Sequence, residues 1–271
     1  MSVRVRFAPS PTGNLHVGGA RTALFNYLFA KSKGGRFVLR VEDTDKERSL
    51  KEFEDAIRES FEWLGITPDE SPWHGGSYGP YRQSERAEIY RSYLEKLLKA
   101  GLAFWCGHPS AKNEAYGEVH WCEYRESPEA RPGIIRFKSP RHAVIAFSDL
   151  VRGKIEYNTE ELGDFALAKD LDSALYNFAN TVDDHEMEIT HVLRGEEHIS
   201  NTLKQILIRE SLDLRSFEYG HFPLILGSDR TKLSKRQGAT SILDFNEQGY
   251  LPEALINFIA LLGWNPGGTD E

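Results

Sequence analysis

The chain has 271 residues, of which 40% are hydrophobic and 11% aromatic, a composition typical of a globular protein with a sizeable core. Its formal net charge of −8 at pH 7 excludes a protein that binds polyanions over its whole surface, so nucleic acid would have to meet a local basic patch. The chain has two cysteines and no apolar run near the ~20 residues of a membrane span, so we expect a cytoplasmic protein with neither a membrane anchor nor a disulfide framework.

The first part of the chain alternates between strand and helix patterns. Alternating β-branched residues predict a strand at residues 3–7, and apolar residues at helical spacing predict a helix at 19–35. A second strand is predicted at 36–43 and an amphipathic helix at 49–66, with Ser49 as its N-cap and Gly65 just past its end. This alternation predicts a parallel α/β sheet, in which ligands lie at the C-terminal ends of the strands.

The connection after the first strand, APSPTGNLHVGG at residues 8–19, is rich in proline and glycine. Gly18 and Gly19 would let a ligand approach the helix N-terminus, where free N–H groups and the dipole favour an anion. His16 adds a hydrogen-bond donor there. The stretch indicates a phosphate site, and the alternative is a loop with a solvated histidine.

A second polar loop, GSDRTKLSKRQGAT at residues 227–240, places Lys232, Lys235 and Arg236 around Ser234. Lysines suit phosphates, and the glycines at each end suit a loop that closes over a ligand. Such a pattern alone is usually a solvated basic turn. Its occurrence downstream of HVGG favours a phosphate-binding loop.

These two stretches resemble the two signature motifs of class I aminoacyl-tRNA synthetases. Together with VRFAPSPTG, VEDTD, GPYRQSER and KLSKRQGA, they make the chain similar to the glutamyl-tRNA synthetase family as far as about Glu271, with a divergent segment near residues 106–132. The resemblance implies a Rossmann-like parallel-sheet nucleotide-binding fold, split by an inserted α+β acceptor-binding domain. It also implies an enzyme that forms glutamyl-adenylate from ATP and glutamate and transfers the glutamyl group to the 3′ end of tRNA.

The resemblance further assigns roles to single residues. His16, Lys232 and Lys235 would stabilise the charge that grows on the phosphates, with Mg²⁺ accompanying ATP. The ATP-binding residues would be His16, Gly18, Gly19, Glu197, Lys232, Leu233, Ser234, Lys235 and Arg236. The glutamate-binding residues would be Arg6, Ala8, Ser10, Glu42, Tyr176, Asn180 and Arg194. Without the family resemblance, Arg6 could equally be a charge on an edge strand, and Tyr176 could equally be a core residue.

Four parts of the chain follow from the same resemblance. Residues 1–101 would form the first half of the catalytic domain, 102–175 the inserted acceptor-binding domain, 176–240 the second half, and 241–271 the start of a helical stem-contact region. A helix at residues 84–101, with Ser84 as N-cap, would lead out of the first half. The family continues into an anticodon-binding domain, so we expect either a partial chain or a naturally short form.

The divergent segment contains mirrored C-x-H and H-x-C pairs, formed by Cys106, His108, His120 and Cys122. These are zinc ligand types at usable spacing. Tyr124 stands where the family can have a ligand. We therefore expect no bound metal and two β segments with surface histidines, with zinc as the alternative.

Three functions stay open from the sequence. The first is glutamylation of the tRNA 3′ end by a monomer whose partners are tRNA, glutamate and ATP. The second is a short enzyme of the glutamyl-queuosine type, which glutamylates a modified base of another tRNA. The third is a nucleotidyltransferase with a similar histidine–glycine loop that acts on a small metabolite.

Overall fold

The computed structural model describes residues 2–45, 47–108, 119–127, 133–226 and 241–265. They fall into two compact units. The first unit is bounded by Met1–Arg82, Ile189–Glu197 and Tyr219–Glu271, and the second by Gln83–Glu188 and His198–Glu218. Among the described residues, no helix combines the length and the apolar character that a bilayer span requires. The four functional parts expected from the sequence stay a prediction.

The helices and strands follow in chain order. They are β1 (Arg4–Phe7), α1 (Val17–Ser32), β2 (Arg36–Leu39), α2 (Lys51–Leu64), α3 (Ala87–Lys99), β3 (Ala103–Cys106), β4 (Ile134–Phe137), β5 (Val144–Asp149), β6 (Gly153–Asn158), β7 (Ala166–Ala168), α4 (Tyr176–Glu186), β8 (His191–Gly195), α5 (Ile199–Ser211), β9 (Glu218–Phe222), α6 (Ile242–Glu247) and α7 (Pro252–Leu261).

The sheet of the first unit has β1 at its centre. β1 pairs in parallel with β2 on one side and with β8 on the other, and β9 lies beside β8. Arg6 faces Val38 across the first pair, and Val5 faces His191 across the second. The parallel α/β sheet predicted from the sequence is confirmed.

One face of this sheet forms the apolar core. Its strands contribute residues with odd numbers, and these pack against α1 and α2 in a single cluster that includes Val5, Phe7, Phe37, Leu39, Leu193, Leu24, Ile57 and Phe61. The rings of Phe7 and Phe61 stack with centroids 5.8 Å apart. Side chains alternate between faces along a strand, so the even-numbered residues point to the other face.

The starts of two helices differ from the sequence prediction. α2 begins at Lys51 with Leu50 as its N-cap, so the cap predicted at Ser49 is wrong. Leu50 instead donates its N–H to the carbonyl of Pro11 at 3.0 Å. The entry to this helix is therefore set by a contact with the loop after β1, which no local pattern reveals.

The second wrong cap is Ser84. α3 begins at Ala87, after a 3₁₀ turn at Gln83–Glu85. Gln83 Nε2 and Arg86 Nε bond the buried Asp183 carboxylate at 2.8 and 2.6 Å. Because both side chains converge on one acceptor in α4, the residues between them turn more tightly than an α-helix.

The end of α2 follows the sequence prediction and allows a stability test. Gly65 caps the helix with φ = 65° and ψ = 20°, and a Cβ there would meet no atom within 4 Å. The cost of Gly65→Ala is therefore conformational, and we expect the free energy of unfolding to fall by about 1 kcal/mol in urea denaturation. Gly65→Asn should cost less, because asparagine tolerates the left-handed region. Equal stability of all three proteins would contradict this account.

In its described residues, the second unit combines two small β structures with the helices α3, α4 and α5. β4 lies between β3 and β7 and pairs antiparallel with both, and β5 and β6 form an antiparallel hairpin. The runs GIIRFK, AVIAFSD, GKIEYN and DFALAK in the sequence predict short strands between residues 102 and 175, and β4, β5, β6 and β7 confirm them. α4 packs against α5 and α3 in the same unit.

Candidate functional site

The second face of the first unit's sheet carries buried charge. Arg6 lies on β1, Arg40 and Glu42 continue the alternation of β2, and Arg194 lies on β8. These four side chains are 0–5% exposed. A buried charge is costly unless it is paired or serves a ligand, so this face at the C-terminal ends of the strands is the candidate site.

Arg6 cannot be the edge-strand charge that the sequence left open, because β1 has a partner strand on each side. Its side chain is 3% exposed. Ala8 and Ser10 follow where β1 leads into the loop; Ala8 is half-buried and Ser10 is exposed. Exposure therefore increases along the three predicted residues, from buried Arg6 to exposed Ser10.

Glu42 has a buried partner that the sequence prediction missed. Its Oε1 lies 3.1 Å from Arg40 Nη2. Its backbone N–H donates to the carbonyl of Pro9 at 2.9 Å, which ties it to the loop after β1. The alternation in RVED could have revealed this pair, since residues two apart share one face of a strand.

Arg194 also has a partner that the sequence prediction missed. Its Nε donates to Nε2 of His221 at 3.4 Å, and His221 on β9 is fully buried. The two residues are 27 positions apart, so only the pairing of β8 with β9 brings them together. No sequence pattern singles out this histidine.

His16 is the N-cap of α1. Its Nδ1 accepts a hydrogen bond from the N–H of Gly19 at 3.2 Å, and its ring is exposed. Acceptance at Nδ1 places the proton of the neutral ring on Nε2, where it can donate to a ligand. No acidic residue lies in the first turn of α1, so the helix N-terminus suits an anion.

The glycines after His16 have a packing reason beyond ligand access. A Cβ on Gly18 would lie 3.2 Å from the His16 ring, and one on Gly19 would lie 2.9 Å from Leu15 Cδ1. Larger residues would displace the ring or the loop. The two glycines therefore help to hold His16 in place.

The loop at residues 227–240 is predicted to bind phosphates. Lys232, Leu233, Ser234, Lys235 and Arg236 lie outside the described residues. Ser241, the first described residue after them, forms a β-bridge with His16, and Ile242 N donates to Leu15 O at 2.8 Å. The chain thus enters α6 directly beside the His16 loop.

Arg21 anchors α1 and was not predicted from the sequence. It donates to the carbonyls of Leu262 at 3.0 Å and Pro223 at 2.5 Å. Burial lowers the pKa of Arg21 below its usual value, although the nearby carboxylates of Glu197 and Glu196 oppose this. The predicted ATP ligand Glu197 is exposed, in a 3₁₀ turn after β8.

Two predicted residues lie in the second unit, on α4. Tyr176 begins the helix, and its hydroxyl lies 3.3 Å from His198 Nδ1. Asn180 is one turn later and buried, and its Oδ1 accepts from Gln205 Nε2 at 3.3 Å. Residues four apart share one face of a helix, so both side chains project from the same side of α4.

A separate cluster in the second unit brings together Cys106, His108, His120 and Cys122. Their ligand atoms all lie within 4.8 Å of one another. The Cys106 and Cys122 sulfurs are 3.4 Å apart, His108 Nδ1 is 3.4 and 3.7 Å from them, and His120 Nε2 is 3.8 Å from Cys106 Sγ. Tetrahedral zinc with two sulfur and two nitrogen ligands separates its ligand atoms by about 3.3–3.8 Å. The set therefore fits zinc.

The surroundings of this cluster hold its ligands in place. Cys122 N donates to Asp164 Oδ2 at 3.0 Å, and the Tyr124 ring stacks on His108 with centroids 5.3 Å apart. A Cβ on Gly133 would lie 1.9 Å from the carbonyl oxygen of Cys106, so only glycine permits this close approach. Tyr124, at the position where the family can have a metal ligand, instead stacks on the candidate ligand His108.

Comparison with known proteins identifies similar chains. Residues 2–271 match the model of the class I tRNA synthetases for glutamate and glutamine, catalytic domain. A glutamate–tRNA ligase of Carboxydothermus hydrogenoformans is 51% identical over 99% of this chain and 60% of its own length. Glutamate–tRNA ligase 2 of Fervidobacterium nodosum is 51% identical over 97% of this chain and 56% of its own length.

A solved structure shows the same similarity. A glutamate tRNA ligase from Elizabethkingia meningosepticum, crystallised in complex with its amino acid, matches with a TM-score of 0.89 and 42% identity. The match covers 98% of this chain and 62% of that one. The chain thus spans about 60% of the length of the curated relatives that it matches.

Proposed function

The chain belongs to the catalytic-domain family of the class I tRNA synthetases for glutamate and glutamine, and on that premise we propose that it attaches glutamate to the 3′ end of tRNA. Its substrates are glutamate, ATP with Mg²⁺, and tRNA, which meets the chain through its acceptor end. Glutamate first attacks the α-phosphate of ATP, which releases pyrophosphate and leaves glutamyl-adenylate. A hydroxyl of the terminal ribose of tRNA then attacks the glutamyl carbonyl, and AMP leaves.

The observation that carries this proposal is the buried charge on one face of the sheet. A site with Arg6 and Arg194 beside the Arg40–Glu42 pair offers cations for carboxylates and an anion for an ammonium group. An amino acid with an acidic side chain carries this combination of charges. An uncharged metabolite would offer no opposite charge to these cations.

The phosphate chemistry takes place beside this face. His16 at the N-terminus of α1 would donate to the phosphates of ATP, where free N–H groups also favour negative charge. Ser241 pairs with His16, so the chain that carries Lys232 and Lys235 ends next to the same loop. Neither step needs a protein nucleophile, because positioning and charge stabilisation are sufficient.

The test is glutamylation of bulk tRNA by this chain with ATP and labelled glutamate. Attachment to the 3′-terminal ribose predicts that periodate oxidation of the tRNA abolishes the product, because periodate destroys the terminal cis-diol. Glutamylation of a base would survive when the base carries no diol of its own. Mapping the label on nuclease-digested tRNA then separates the two positions.

The third function is excluded by the same experiment when product formation requires tRNA. A nucleotidyltransferase that acts on a small metabolite would transfer AMP without it. If the chain produces neither kind of glutamylated tRNA, the proposed function is overturned.

We propose that the cluster of Cys106, His108, His120 and Cys122 binds one zinc ion. The sequence alone favours surface histidines, whereas the convergence of the four donor atoms supports a zinc site. When bound, zinc would supply structural cross-linking, because four protein ligands leave no open position for catalysis. It would tie β3 to the segment that follows residue 119.

We expect one equivalent of zinc in purified wild-type protein, measured by elemental analysis, and a marked loss in Cys122→Ser and His108→Ala. His142→Ala is the matched control, since this exposed histidine of the same unit pairs with Glu160 outside the cluster. Chelation should also lower the thermal stability of wild type, because a structural metal contributes to folding free energy. Equal zinc content in all variants would contradict the assignment.

A further inference from the structure

The fully buried imidazole of His221 has no part in the reaction described above. It lies on β9, the strand beside β8. The Tyr219 ring stacks nearly parallel to it, with centroids 6.4 Å apart and planes at 12°. Just after β9, Leu224 N donates to Glu196 Oε1 at 2.8 Å, which ties the end of β9 to the turn after β8.

His221 meets Arg194 through one specific atom. The donor is Nε of the guanidinium and the acceptor is Nε2 of the imidazole. A guanidinium is planar, so a bond to Nε restrains the plane in which both terminal nitrogens lie. Those terminal nitrogens form the end-on fork that matches a carboxylate with two parallel hydrogen bonds.

The neutrality of the acceptor matters as much as its position. A carboxylate at this point would hold the guanidinium equally well, yet it would also neutralise the charge that an anionic side chain requires. An imidazole that accepts at Nε2 is neutral. It orients the arginine without neutralising its positive charge.

We infer that His221 is a positioning residue for Arg194, which holds the guanidinium in the orientation that selects an acidic amino acid while leaving its charge intact. The inference rests on the proposed function, because it assigns Arg194 to the side-chain carboxylate of glutamate. The inference adds His221 to the residues that determine amino-acid specificity, and β9, which carries it, contains no recognised sequence motif.

The experiment measures aminoacylation kinetics of this chain with full-length tRNA and varied glutamate. His221→Leu removes the acceptor, and we expect the KM for glutamate to rise about tenfold while kcat and the KM for ATP stay unchanged. His221→Gln retains a neutral acceptor at similar reach and should restore the KM to near wild type. His221→Glu has nearly the same shape as His221→Gln but adds a charge, and it should raise the KM by about 100-fold.

Controls distinguish positioning from a general effect on the strand. Tyr219→Phe, two positions before His221 on β9, keeps the ring that stacks on His221 and should leave all three constants unchanged. If His221→Leu fails to fold, the His221→Gln and His221→Glu pair still decides, because the two differ only in charge. Equal glutamate KM in these two variants, or a joint shift of all constants with the melting temperature, would overturn the inference.

The inference and the proposed function fail in different ways. If wild type charges no tRNA with glutamate, the proposed function is wrong. If wild type is active and His221→Leu has the wild-type KM for glutamate, only the role of His221 is wrong.

Discussion

Arg194→Ala is expected to lower glutamate-dependent pyrophosphate exchange by roughly 10²- to 10³-fold, mostly through weaker glutamate binding. The physical reason is desolvation. The side-chain carboxylate of glutamate must leave water to reach a site where Arg194 is itself 5% exposed, so it needs a compensating cation. Breaking one half of a buried ion pair costs about 3–5 kcal/mol.

Glutamine is the informative second substrate. Its side-chain amide would turn an NH₂ group toward the guanidinium fork, so donor would face donor, and wild type should reject it. Removal of the fork should therefore cost glutamine much less than glutamate. The exchange assay must include full-length cognate tRNA, because this family generally needs tRNA for activation.

Two variants make the measurement specific. Arg194→Lys keeps the charge without the planar fork and should recover part of the activity. Arg36→Ala removes an exposed arginine at the opposite end of the same parallel sheet and should have no effect. If Arg194 only braces Glu196 or Glu197, glutamate and glutamine will fall together, and Arg6 becomes the next candidate for specificity.

His16→Ala should slow adenylate formation by about 10²-fold or more, because it removes one donor aimed at developing phosphate charge. The structure adds a second role to this residue. His16 also caps α1 through the bond from Gly19 N, and the loss of an N-cap costs about 1 kcal/mol of stability. A rate defect in this variant alone would leave the two roles mixed.

His16→Asn separates them. Asparagine is a good N-cap, so this variant should retain the stability of wild type. With its Oδ1 capping the helix, its Nδ2 donor does not extend to the position of imidazole Nε2, so its adenylate formation should be as slow as that of His16→Ala. Stopped-flow or exchange kinetics together with thermal unfolding measure both properties, and a wild-type rate in His16→Asn would show that His16 acts only as a helix cap.

Local patterns were sufficient for the types of the main elements. The alternation in VRVRF and the helical spacing after HVGG both correspond to β1 and α1 in the structure. Gly65 ends α2 as predicted, since a left-handed C-cap strongly prefers glycine. These features depend on residues close together in the chain, which is why the sequence alone determined them.

The helix starts were not determined in this way. Ser49 and Ser84 are good N-cap residues, yet Leu50 and Arg86 hold those positions. In each case the N-cap residue itself bonds a distant partner: Leu50 N donates to the carbonyl of Pro11, and Arg86 Nε donates to the carboxylate of Asp183. Capping contributes about 1 kcal/mol, so a few long-range hydrogen bonds outweigh it.

For the site, the sequence by itself determined the family resemblance and the residue types, and it predicts phosphate binding at residues 8–19 and 227–240. The tertiary structure decided which charges are buried and which residues pair with them. His221 meets Arg194 only when β8 and β9 lie side by side. The same holds for Cys106, His108, His120 and Cys122, whose spacing permits a metal site but whose convergence requires the folded second unit. Burial and contact between distant residues arise from packing, and packing depends on residues far apart in the chain, so no local stretch of sequence determines it.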